Sequence, residues 1–257
     1  MPHKSLAIAA LLAASFVPLH AQQSDSNQPP PYYGISVRID GVHITPIADA
    51  PFSAEVLIRN EQSMPDGTVV TKRTINFIGR DSRGRIHNER RILVPETYNG
   101  TPRLLEVHIF DPETRLSTYY DPMTHIARQQ VLPKPPTAAS FSNPLVKVED
   151  LGTDVIKGLV AKGVKRTFTV PAKLSGTGAP VEIVDEYWYS DDLQINLLVR
   201  RTDPRTGVQT VEISTIQREE PEQSFFEVPQ GYKVVDETPP VRATHIQGSV
   251  AAGSPTP

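Results

Sequence analysis

The sequence contains no cysteine. Disulfides, thiolate metal sites, iron–sulfur clusters and a cysteine nucleophile are therefore excluded. It holds a single tryptophan, and only 7% of its residues are aromatic. Neither sign of charge dominates: 26 Lys and Arg stand against 29 Asp and Glu, a net charge of -3. A chain that neutralises many phosphates needs a basic surplus, so nucleic acid is not expected as a partner. No apolar stretch reaches the roughly 18 residues of a membrane-spanning helix, so an integral helical membrane protein is not expected either. G-x-S-x-G and S-x-x-K are absent, and the loop at 175–178 (SGTG) lacks the lysine and helix of a phosphate cradle. No cofactor is implied.

What the sequence has in quantity is proline, 25 residues. Prolines punctuate the chain at its start, at 29–31, at 132–144 (LPKPPTAASFSNP) and near its end. Residues 1–21 read as a secretory signal peptide. A weakly basic start is followed by a short apolar core at 6–17, then Pro18 and a small residue at the cut, after Ala21. The polar, proline-rich stretch 22–33 gives such a segment nothing to dock on and reads as a disordered arm. Residues 34–237 read as one β domain with a linker or crossover at 132–145, and 238–257 as a disordered tail. The protein is expected to be periplasmic or secreted.

Between these marks the apolar residues alternate. Leu193, Ile195, Leu197 and Val199 face one way, and Leu105, Val107 and Ile109 do the same elsewhere. A period of two puts each set on one face of a sheet. Turn signals such as Pro65-Asp66-Gly67, Asp111-Pro112, Asp121-Pro122 and Asp203-Pro204 recur between the runs. Strands are predicted near 52–62, 68–80, 85–94, 103–110, 115–121, 125–131, 154–157, 159–170, 181–190, 193–202 and 208–218. One helical turn is predicted at 221–226, opened by Pro221. The expected fold is mainly β and antiparallel, with little helix. So many strands must curl or split into two layers.

Few residues suggest chemistry. His108 and His125 sit on predicted neighbouring strands and are able to approach each other, but no carboxylate completes a metal or catalytic site. Glu186 shares a strand face with Trp188, an acid beside an aromatic as a hydrolase would need, but no second acid completes a hydrolytic pair. Lys72, Arg73, Arg80, Arg83, Arg85, Arg90 and Arg91 crowd one hairpin, either as a solvated outer face or as a dock for an anionic headgroup. Aromatic doublets populate both faces of their strands. Tyr119, Tyr120, Trp188 and Phe225 are the candidates for lining an apolar cavity. No catalytic or metal-binding residue is assigned.

Several segments, in order, carry a resemblance. They are 51–56 (PFSAEV), the hairpin ending at 80–85 (RDSRGR), 117–122 (STYYDP), 151–160 (LGTDVIKGLV), 186–193 (EYWYSDDL) and 225–232 (FFEVPQGY). Together the region 51–235 resembles the LolA-like half-barrel proteins, which include lipoprotein carriers and periplasmic regulators that sense lipoproteins. It is most like uncharacterised exported bacterial proteins. The resemblance implies a strongly curved antiparallel sheet, an incomplete barrel, whose concave side holds acyl chains beneath helices. Here the place of the first helix is taken by 35–49 (ISVRIDGVHITPIAD), which alternates like a strand and contains Gly41 and Pro46. The function expected is non-catalytic binding of a lipid, an acyl chain or a lipoprotein. The alternative is an envelope structural or interaction protein, with a filled β core and another envelope protein as its partner.

Overall fold

A computed structural model describes residues 42–134 and 146–240 of the chain. The chain divides into two units, Met1–Tyr33 and Gly34–Pro257, and everything described belongs to the second. The signal segment, its cut after Ala21, the arm at 22–33, most of the linker and the tail beyond 240 lie outside the described residues.

The fold is mainly β, with 58% of the described residues in strands and 4% in helices. The strands are β1 (Phe52–Ser63), β2 (Val69–Arg80), β3 (Ile86–Arg91), β4 (Val94–Pro95), β5 (Leu104–Asp111), β6 (Leu116–Asp121) and β7 (Ile126–Val131). They continue with β8 (Val146–Ile156), β9 (Leu159–Val170), β10 (Val181–Ser190), β11 (Ile195–Asp203), β12 (Gly207–Gln217) and β13 (Lys233–Asp236). All 13 form one sheet in the order β13-β7-β6-β5-β3-β2-β1-β12-β11-β10-β9-β8, with β4 on β2. The sheet curves and does not close. It is two antiparallel meanders, β1 to β7 and β8 to β12, stitched where β1 pairs with β12.

Three of the hairpins use one sequence device: 111–115 (DPETR), 121–125 (DPMTH) and 203–207 (DPRTG). The aspartate side chain accepts the backbone N–H two residues on, at 2.9 Å for Glu113, 2.7 Å for Met123 and 2.9 Å for Arg205. Proline presets the next φ. The fifth residue turns left-handed: Arg115 at φ 57, His125 at φ 52 and Gly207 at φ 97. A type I turn closed by such a residue matches strand twist and fixes register.

One face of the sheet carries the main core. Phe52, Ala54, Val56 and Ile58 of β1 alternate inward and meet Ile78, Ile86, Ala161, Ile195, Leu197, Val211 and Ile213. Residues from both meanders share this cluster, so this is the concave face. An extended strap, 42–50, lies across it. Val42 and Ile44 are buried in the cluster. Thr45 Oγ1 donates to Gln194 O at 2.9 Å, and Asn88 Nδ2 donates to Val42 O at 3.1 Å, so the strap ties the two meanders together. Here the strap occupies the place that the resemblance gives to a helix.

A smaller cluster lies on the opposite face: Val107, Ile109, Tyr120 and Ala127 are covered by Phe226, with Phe225, Val228 and Tyr232 beside them. The covering chain contains the predicted helical turn, found at Gln223–Phe226 as a 3-10 turn, and ends in β13, which pairs in parallel with β7.

The structure corrects some boundaries. The run at 85–94 is two strands, because Ile92 and Leu93 leave the ladder and turn into the interior between β3 and β4. β8 begins at Val146 rather than 154, and β13 and a four-residue helix, α1 (Ala172–Ser175), were not predicted.

Candidate functional site

The concave face changes character along β3, β5, β6 and β7. Near β1 it is apolar and filled; farther out the inward positions are Asn88, His108, Ser117, Tyr119, Arg128 and Gln130. His108 faces Tyr119 across the β5–β6 ladder, and the rings stack 4.2 Å apart at 10°. His108 Nε2 lies 2.9 Å from Ser117 Oγ. Burial, with Arg90 and His87 nearby, holds the His108 pKa down to about 4, so the ring is neutral at pH 7. The other charges are matched: Arg90 pairs with Glu106 at 3.3 Å, and Arg128 pairs with Glu237. These residues line a cleft of about 790 Å³. A recess of about 70 Å³, reaching Asn76, Asn88 and Glu89, adjoins it.

A second cleft, about 530 Å³, lies on the opposite face between β1, β2 and β12 and the chain at 219–225. Phe77 and Phe225 line it, with Glu55, Glu219, Glu220 and Glu222. Glu220 is committed to structure: it accepts from the backbone N–H of Ser82 at 3.0 Å and from its hydroxyl at 3.1 Å.

The four residues proposed to line a cavity do not converge. Tyr119 lies in the first cleft, 39% exposed. Its neighbour Tyr120 points the other way into the small cluster, edge-on to Tyr232 at 5.2 Å, and burial pushes its pKa up to about 12. Phe225 belongs to that same cluster and stacks on His87 at 3.7 Å. Trp188 packs against the main core, where Gly163 makes room for it: a Cβ there would stand 2.8 Å from the indole.

His108 and His125 do not approach as a pair. His108 stacks on Tyr119, while His125 occupies the β6–β7 turn beside Tyr232. Glu186 lies opposite Lys165 and Arg200 on the neighbouring strands. The arginine-rich hairpin is largely consumed internally. Arg85 pairs with Asp81 at 2.6 Å, Arg91 with Glu89 at 2.8 Å, and Arg73 donates to Tyr98 O at 3.3 Å. Among the described residues no group of three or more His, Asp or Glu is placed to hold a metal.

Sequence reasoning did not connect Ser117, Arg128 and Gln130 with Tyr119. The signal was present in β7, whose residues 128–130 (RQQ) are polar, whereas β1 carries Phe52, Ala54, Val56 and Ile58 at its inward positions.

Fold and clefts together define an open antiparallel half-barrel with a filled apolar interior and surface clefts of mixed polar and apolar lining. No family model and no curated protein matches the chain. Solved structures are similar in fold. One is an uncharacterised conserved protein from Thermus thermophilus, 11% identical, TM-score 0.39, covering 73% of this chain and 90% of that one. Another is the MucA/MucB complex of Pseudomonas aeruginosa, 9% identical, TM-score 0.39, covering 73% of this chain and 58% of the matched one. A third is a domain described as an outer membrane lipoprotein-sorting protein from Vibrio parahaemolyticus, 9% identical, TM-score 0.19, covering 69% and 89%. These likenesses are of fold alone.

Proposed function

We propose that this chain is an exported, non-catalytic binding protein of the cell envelope that meets its partner over its surface. The observation that carries this reading is the filled interior. Phe52, Val56, Ile58, Leu197 and Ile213, which would face an acyl chain in an open half-barrel, are at most 1% exposed. A lipid tail gains by burying apolar surface, about 25 cal/mol per Å². Side chains and the strap residues Val42 and Ile44 already bury that face. The two clefts described above mix apolar side chains with ion pairs and hydrogen-bonding groups, and an apolar tail in them would strand those groups. Export rests on the pattern of residues 1–21, and the non-catalytic reading on the lack of a second acid to complete a hydrolytic pair with Glu186.

Solvent extraction and mass spectrometry of the purified protein is the test, together with emission of an apolar dye. The expected result is no stoichiometric lipid and no enhancement. Lipid at about one molecule per chain would overturn the filled interior and restore acyl-chain carriage as the function. N-terminal sequencing of envelope-derived protein is expected to begin at Gln22.

A further inference from the structure

We propose that the cleft between β5, β6 and β7 binds a neutral carbohydrate, with Tyr119 as its stacking platform. The inference extends the surface-binding reading by naming the ligand class, and it rests on that reading only in needing an accessible surface.

The argument is one of chemical fit. The cleft holds about 790 Å³, within the range of small-ligand sites. Its charges cancel locally. Arg90 faces Glu106 and Arg128 faces Glu237, so an anion meets carboxylates and a cation meets guanidinium groups. His108 adds no charge, being neutral well below pH 7. An ionic ligand therefore gains little here. An apolar ligand would cover Ser117, Gln129, Gln130 and the ion pairs without replacing their water, leaving those groups unpaired.

The ligand that fits has hydroxyls at its edge and C–H groups on its face. A pyranose ring has both. One face of Tyr119 is occupied by His108 at 4.2 Å, which fixes the ring, while 39% of the residue remains exposed. A fixed ring loses little entropy when a sugar settles on it. Around it stand planar amide, guanidinium and carboxylate groups, which pair with adjacent hydroxyls through two parallel hydrogen bonds. The adjoining recess, with Asn76 and Asn88, offers further amides for a substituent on the sugar.

The test uses the full chain and four probes: cellotetraose, maltotetraose, chitotetraose and insoluble cellulose. Saturation-transfer NMR and calorimetry report on the soluble sugars, and co-sedimentation on the cellulose. At least one probe is expected to bind in the micromolar to low millimolar range. Tyr119→Ala should weaken that binding by about tenfold or more, and Tyr119→Phe by no more than about threefold, because the face survives and only the hydroxyl is lost. Gln130→Ala should weaken it with an unchanged circular dichroism spectrum. Raising NaCl from about 50 to about 500 mM should leave the affinity nearly constant, since screening acts only on charge. Failure of all four probes to bind below about 10 mM, or binding indifferent to Tyr119→Ala, would overturn the proposal. So would salt-sensitive preference for polygalacturonate over the neutral sugars. None of these outcomes bears on whether the interior is filled, so the two readings fail separately.

Discussion

Arg80 shows how far a residue's role is set by what surrounds it. In the sequence it is one of a crowd of cations on a hairpin; in the fold it is 0% exposed. Its guanidinium donates to Ala50 O at 2.9 and 2.7 Å and to Thr45 O at 2.7 Å, and lies over the Phe52 ring at 5.1 Å. Burial lowers its pKa. Three bonds from one side chain pin the strap to the concave face. Arg80→Ala would leave two carbonyls without their donor and open a void, so a loss of about 3 kcal/mol or more in urea unfolding is expected. Arg80→Lys, which keeps the charge but cannot span both carbonyls in one plane, should fall between. His108 gives a pH dependence of definite sign. Its folded pKa of about 4 lies below the ordinary imidazole value of 6.5. Above pH 6.5 both states are neutral. As pH falls from 6.5 towards 4, the unfolded chain takes up a proton that the folded chain refuses, so stability drops across that window. NMR titration should show the His108 ring unprotonated down to about pH 5. His108→Gln should remove part of the acid-induced loss.

At the scale of elements, legibility followed burial. β1 and β11 have one buried face and one wetter face, so their alternation is plain in the sequence, whereas the buried positions of β2 include the polar Thr74, Asn76 and Arg80 and blur its period. β8 is an edge strand with no fully buried residue; Val148 and Val155 are 62% and 64% exposed. With no face to bury, its first half offers only Val146 and Val148 as an apolar alternation, too short to mark a strand. β13 is four residues long and pairs with β7 through backbone only on one side. Tyr119 and Tyr120 were legible as a pair on opposite faces, but their surroundings are contributed by distant strands. Gly79 was not legible at all. A Cβ there would stand 2.8 Å from Phe225 Cε1 and 3.2 Å from Phe52 O, so glycine is what lets Phe225 lie flat on His87. Gly79→Ala should lift Phe225 and loosen the covering chain while the main core stays folded. Hydrogen exchange is expected to quicken in 223–236 and to stay slow in β1. Equal acceleration in both would mean that the cover and the core unfold as one unit.

For the whole molecule, the decisive quantity is how tightly the curved sheet is filled. Leu197 is 0% exposed and lies in a cluster that takes residues from both meanders and from the strap. Such interiors pack as densely as organic crystals and leave few voids larger than water. An apolar probe therefore has no site in the native protein, and a cavity has to be made. Leu197→Ala should do this, lowering stability by about 2–5 kcal/mol, since the walls relax only in part. The apolar void it leaves would stay dry and accept a small hydrocarbon. Benzene should then raise the melting temperature of Leu197→Ala by mass action, while leaving the native protein unchanged. Laurate serves as the matching probe for an acyl chain. If laurate or benzene stabilises the native protein as strongly as the variant, the half-barrel already holds an opening of that size. The curved sheet would then be a container, and the clefts on its surface would be secondary to it.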